Sequence, residues 1–489
     1  MFTFLISLVA LVSGYFLYGW FVERVFSPDD RTTPAVAKAD GVDYIVLPNW
    51  KIFMIQFLNI AGTGPIFGAI MGAKFGPVSY LWIVFGCIFA GAVHDYLSGM
   101  LSLRHDGAGL PELIGKYLGN VTRTVMLVFS VLLLVVVGAV FVYSPAQILH
   151  DIWGEEVMWI IIIFAYYLIA TIMPIDKIIG RIYPLFAVSL LFMAAALMVV
   201  LFIKMPLLPE LWDGLGNMAA THEGASWTDA LFPCLFITIA CGAISGFHAA
   251  QSPLMARCMK SERFGRPIFY GAMITEGIVA LIWATVASYF FYASPSPGYE
   301  VITGAQESGF ATAAPKVVNL VCNDWLGVVG GVLALLGVVA APITSGDTAL
   351  RCARLIVADF VHLEQHSVIK RLMISIPLFV VTLLILLWQI GNPNGFNVIW
   401  QYFGWSNQTL SIFTLWMLTV FLVRSRKPYI ITLIPALFMT TVCATFLFIS
   451  HQAMELPASM AYPMGGGVLL VALIWFFVWY RRERNSTTQ

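Results

Sequence analysis

Charge is what this 489-residue chain has least of: Asp, Glu, Lys and Arg together make up 11% of it, with 26 acidic and 26 basic residues. So little charge excludes an ordinary soluble surface. No basic tract offers itself to nucleic acid. No Walker A pattern is present, which argues against a built-in ATPase, and no HExxH or comparable ligand or nucleophile spacing marks an enzyme. The seven cysteines include no CxxC pair, so neither a disulfide framework nor a CxxC metal site is expected. The N-terminal apolar run lacks a basic leader and a small-residue cleavage site, and reads as a retained span rather than a signal peptide. No polar segment is long enough for a separate soluble domain, the longest inner one being about 28 residues, 23–50. That disfavours a nutrient sensor signalling through a cytoplasmic domain, and the lack of a repeated polar face disfavours a channel.

What is present is apolar length. Hydrophobic residues make up 60% of the chain and mean hydropathy is +0.87, the balance of a polytopic membrane protein. Windows of about 20 apolar residues recur, and they predict thirteen helical spans near 2–22, 51–74, 78–101, 124–148, 157–173, 183–203, 229–256, 267–292, 326–350, 372–390, 396–422, 429–450 and 465–480. Lys and Arg gather in cytoplasmic loops, and an outside N-terminus with a cytoplasmic C-terminus puts 23 of the 26 inside, all but Lys74, Lys204 and Lys316. A short inner-face helix is predicted over 107–119, with Pro111 in its first turn and Gly119 as its stop.

Two spans contain helix breakers. In 58-LNIAGTGPIFGAIMG-72, Pro65 lacks an amide proton and Gly62 and Gly64 weaken the helix about ten residues in, or about 15 Å at helical rise. Carbonyls freed near the midplane persist only against protein or a water-filled cavity. A second interruption, 240-ACGAISGFHAAQSP-253, lies five spans later in a span of opposite direction. Glycines in membrane helices also serve close packing. Two inverted breaks, however, are the pattern of secondary transporters with inverted repeats, in which broken helices hold substrate. Spans 51–203 and 229–422 would be the halves, 2–22 an extra first span and 429–480 two further spans, in one membrane domain covering 1–489.

The runs 59-NIAGTGPIFGAIMGAKFGP-77, 86-GCIFAGAVHDYLSGMLSLRHDGAGLPELIGKYLG-119 and 237-ITIACGAISGFHA-249 resemble the carbon starvation protein CstA family, and the likeness extends through about residue 360. The resemblance implies a bacterial inner-membrane transporter related to the amino acid–polyamine–cation superfamily, with a LeuT-type fold of five plus five spans. It implies uptake of pyruvate, or of peptides, when carbon is short, with proton coupling. In LeuT-type transporters a Thr-Ser pair completes a sodium site with carbonyls of the first broken helix; the matching residues are Thr344 and Ser345, opposite Asn59 to Gly64. Taken alone, such hydroxyls bond back to the preceding turn. The chain departs from the family at Gln251-Ser252-Pro253, where longer members carry a Ser/Gly/Thr-rich run.

Ionisable groups inside spans are costly and mark function. Glu276 falls near mid-depth of the eighth span, and Asp347 is expected close to the inner end of the ninth, where it carries protons or pairs with Arg351. His94 and Asp95 are neighbours in the third span, pointing about 100° apart and so under no need to touch; His94 and His248 are packing residues or relays. Every Lys and Arg is assigned to a span end or loop, so an anionic substrate would find no fixed cation at mid-depth. It would rest on the positive ends of the broken helices, at Asn59, Thr63, Gly64, Gly242, Ser245, Gly246 and His248. The expected function is secondary uptake of a small organic nutrient, a pyruvate-like carboxylate or else a peptide or amino acid, with no cofactor and no metal ligand set. Coupling to protons or sodium would run through Thr344, Ser345, Asp347, Glu276, His94 and Asp95. The expected partners are substrate and lipid; oligomeric state is not legible.

Overall fold

A computed structural model describes all residues except 42, 174–178, 222–225, 293–309, 364, 366, 393–394 and 487–489. Lys177 and most of the outer segment expected at 293–325 therefore lie outside the described residues. Among the described residues there is no strand. Helices occur in every interval that apolar length predicts: α1 Phe2–Phe26, α2 Asn49–Ile60, α3 Gly64–Phe75, α4 Val78–Arg104, α5 Leu110–Leu118, α6 Asn120–His150, α7 Glu156–Ile172 and α8 Ile179–Lys204. They continue as α9 231–238, α10 Gly246–Ala256, α11 Glu262–Phe290, α12 Phe310–Phe360, α13 Val368–Gly391, α14 Gly395–Arg424, α15 Ile430–Ile449 and α16 Ala458–Ser486. Among the described residues, nine of these are long and apolar enough to cross a membrane, or ten if α2 and α3, bent by 53°, are one span.

Burial sorts the helices into layers. In its most apolar stretch α11 is 89% buried and α4 78%, whereas α16 is 17% and α1 28%, so the latter pair present apolar surface outward. At the centre, α10 packs on α2, α4 and α14, while α11 packs on α2 and α3. Helix α12 packs along α6 and α8. The amphipathic α5 forms as predicted, with Pro111 in its first turn and Gly119 beyond its end at φ 96°.

The largest differences from the apolar windows are the two boundaries of α12. This helix starts at Phe310 and is interrupted at Gly327 (φ 62°), so residues 310–326, expected in an outer loop, are helical, with Val317, Val318, Val321 and Cys322 buried. It also runs ten residues past the expected inner end at 350. Asp347 therefore lies thirteen residues before the helix ends, about 20 Å along it, rather than near its terminus. Arg351 and Arg354 lie inside the helix and are fully buried, which corrects the expectation that every cation sits at a span end. Hydropathy misplaced the boundary because an Arg ends an apolar window wherever its side chain goes. Here Arg351 donates to the Ala170 carbonyl at 2.5 Å, and Arg354 lies 3.8 Å from Asp43.

Candidate functional site

Both predicted breaks exist. Helix α2 stops at Ile60, Ala61 to Thr63 are non-helical, and α3 restarts at Gly64. Between α9 and α10, residues 239–245 leave helical geometry, and the extended Ser245 precedes the first turn at Gly246. The breaks meet: a methyl group on Gly64 would overlap Sγ and Cβ of Cys241. Asn59, Thr63, Ser245 and His248 are all fully buried, and Gly242 lies against Ala280 of α11.

Asn407 of α14 holds the second break. Its Oδ1 accepts from the Phe247 amide at 2.8 Å and from Ser245 Oγ at 2.9 Å, capping α10 in the way an N-cap side chain does. The Phe247 amide, at the positive end of α10 where an anionic substrate was expected to rest, thus already has a partner. Asn407 also donates to Cys241 Sγ at 3.5 Å.

A fully buried row of titratable groups runs from α4 through α10 to α11. His94 Nδ1 lies 2.8 Å from Asp95 Oδ1, His248 Nδ1 lies 2.9 Å from Asp95 Oδ2, and His248 Nε2 lies 3.5 Å from Glu276 Oε2 without a hydrogen bond. Adjacent residues on a helix were expected to diverge; the two carboxylate oxygens of Asp95 instead reach one imidazole on each side. Both Glu276 oxygens and Nε2 of His94 also lack hydrogen-bond partners.

The α12 hydroxyls divide. Ser345 Oγ donates to the Leu58 carbonyl at the first break (3.0 Å), and Thr348 Oγ1 bonds Asn59 Oδ1 (2.9 Å). Thr344 instead donates back to the carbonyls of Ala340 and Ala341, both at 2.9 Å. Asp347 faces α8: Tyr183 donates to its Oδ2 at 2.5 Å, its Oδ1 has no partner, and the expected pairing with Arg351 is not made. The structure therefore gathers His94, Asp95, His248 and Glu276 in one cluster and Ser345 with the first break in another, and leaves Asp347 apart.

Sequence reading passed over four residues here. Cys241 stood inside the second break; Asn407 belongs to the polar run 406-SNQT-409 of an apolar span; Thr348 follows the Thr-Ser pair by three residues. Gln251, which donates to the Ser345 carbonyl at 3.2 Å, was noticed only as a departure from the family.

Known proteins align with this arrangement. The chain is 45% identical over 336 residues to an uncharacterized membrane protein of Haemophilus influenzae, covering 59% of this chain and 91% of that one. It is 25% identical over 552 residues to the peptide transporter CstA of Escherichia coli (86% and 76%), and 30% identical over 364 residues to the pyruvate/proton symporter BtsT of the same organism (59% and 50%). In fold it is similar to a manganese transporter of Eremococcus coleocola, with TM-score 0.57 and 11% identity, covering 91% of this chain and 99% of that one. The model of the carbon starvation protein CstA family matches residues 1–154, 142–308 and 298–446, and the chain therefore belongs to that family.

Proposed function

We propose that the chain is a secondary active transporter of the cell inner membrane that takes up a pyruvate-like carboxylate together with protons. The observation that carries this reading is the meeting of two unwound helices at Gly64 and Cys241, amid buried polar groups. Such breaks are where transporters with inverted repeats hold substrate. On this reading the chain has thirteen spans in one domain of LeuT-type architecture, with repeats 51–203 and 229–422, 2–22 as an extra span, 429–480 as two more, the N-terminus outside and the C-terminus cytoplasmic. Substrate lies between the breaks, and coupling is assigned to Asp347, a buried carboxylate with no cation within salt-bridge distance among the described residues. The proton is preferred to sodium because Asp347 is a buried carboxylate able to take one up, and because only Ser345 of the hydroxyl pair reaches the first break while Thr344 bonds back within its own helix.

Purified protein in liposomes, offered pyruvate, other short acids, amino acids and dipeptides under separate proton and sodium gradients, is expected to accumulate pyruvate under the proton gradient alone. A peptide reading is favoured by one observation, that the relative named a peptide transporter aligns along 86% of the chain. Accumulation of dipeptides but not of pyruvate would decide for it.

The topology has its own check. All seven cysteines are buried, so an impermeant thiol reagent reports on introduced ones. Cysteine at the exposed Asp324 is expected to label from outside intact cells, and cysteine at the exposed Ser425 only after permeabilisation. The opposite pattern would refute the orientation.

A further inference from the structure

The second break brings together three side chains whose combination the transport reading does not use. Cys241 lies in the unwound segment, His248 in the first turn of α10 and Glu276 on α11. All three are buried, and a ligand atom from each lies within 4.8 Å of the other two. Both Glu276 oxygens and His248 Nε2 are fully shielded from solvent and have no hydrogen-bond partner. Buried polar atoms are rarely left unpaired, and three converging on one point mark a place built for something else.

We infer that Cys241 Sγ, His248 Nε2 and the Glu276 carboxylate bind a divalent transition-metal ion of the zinc class. The donor set is one soft sulfur, one imidazole nitrogen and one carboxylate oxygen, which suits zinc or cobalt and not magnesium or calcium. Tetrahedral zinc with its usual bond lengths spaces such donors about 3.3–3.6 Å apart. His248 Nε2 and Glu276 Oε2 are already 3.5 Å apart, and no two of the three donors are more than 4.8 Å apart, so closure requires the donors to draw together around the ion. The surroundings complete the site. Asp95 accepts from His248 Nδ1 at 2.9 Å, fixing the tautomer that aims the Nε2 lone pair inward, the carboxylate–histidine–metal arrangement of zinc proteins. Asn407 donates to Cys241 Sγ and so supports a thiolate. On binding, the Cys241 thiol and the Glu276 carboxyl group each release a proton, and the resulting thiolate and carboxylate together balance the divalent charge in a dry interior. Three protein ligands leave a fourth position open to water or to a carboxylate. Cys241 itself lines a cavity with Gly64, Trp400, Phe403 and Gly404.

The inference does not depend on transport, and its test does not measure transport. Purified full-length protein, stripped with chelator, is titrated with Co²⁺ and read by its thiolate-to-cobalt absorption. Wild type and the control Cys443→Ser are expected to develop the band stoichiometrically. Cys241→Ser is expected to lose it, and Glu276→Gln and His248→Gln to weaken it. Asp95→Asn, which touches no metal, is expected to lower affinity about 10- to 100-fold. No band in wild type, or a band surviving in Cys241→Ser, would overturn the assignment. Should the Cys241 variant fail to fold, X-ray absorption of zinc-loaded wild type decides: one sulfur with nitrogen and oxygen neighbours supports the site, and an all-nitrogen-and-oxygen shell refutes it.

Discussion

Gly246→Ala is expected to reduce uptake at least severalfold while the protein still inserts into the membrane. Helix α10 approaches α14 so closely at this point that a methyl group would stand 2.5 Å from the Asn407 carbonyl oxygen and 2.6 Å from Leu410 Cβ, and would also overlap the Ser411 amide. Backbone cannot rotate away as a side chain can, so α10 must leave its seat on α14 and give up the Asn407 cap. Overpacking of this kind costs about 1–3 kcal/mol, which is roughly 5- to 150-fold in a two-state population. Leucine at 246 would cost more. Gly64→Leu is expected to act alike by forcing Cys241 aside, whereas Gly467→Ala, with nothing within 4 Å, should leave uptake unchanged. Full uptake by the Gly64 and Gly246 variants, measured at matched membrane levels, would return both breaks to ordinary helix packing.

Those breaks were legible because their cause is local. Pro65 and the glycines around it interrupt hydrogen bonding whatever they pack against, as Pro111 and Gly119 delimit α5. Apolar length placed the helices for the same reason: the membrane imposes it on each segment separately. Contacts between distant segments were not legible. Nothing near Asp95 in sequence says that one oxygen meets His94 and the other meets His248, 153 residues away. Arg351 and Arg354 misled because charge in a sequence looks like a span end, while in the fold their helix continues and their side chains are enclosed. Of the adjacent pair Thr344 and Ser345, only Ser345 faces the first break. A choice between neighbours on one helix turn is set by packing against α2 and α8.

Asp347→Asn is expected to abolish concentrative uptake while leaving substrate exchange intact. The carboxyl group is buried, receives one hydrogen bond from Tyr183, has one oxygen without a partner, and is not paired with Arg351. An ionised carboxylate so placed is costly away from water, and uptake of a proton removes that cost. Its helix also carries Ser345 and Thr348 against the first break, so a change of charge at Asp347 acts on the element that touches the substrate region. Asparagine keeps the shape and cannot load or discharge a proton. Liposomes containing this variant should exchange labelled for unlabelled substrate at equal concentrations, yet reach no higher level inside than outside when a proton gradient is imposed. Loss of both activities would make Asp347 a structural residue. If wild-type accumulation instead follows a sodium gradient at fixed pH, and the Thr344→Ala and Ser345→Ala double variant abolishes it, the hydroxyls of α12 are the coupling site and Asp347 is not.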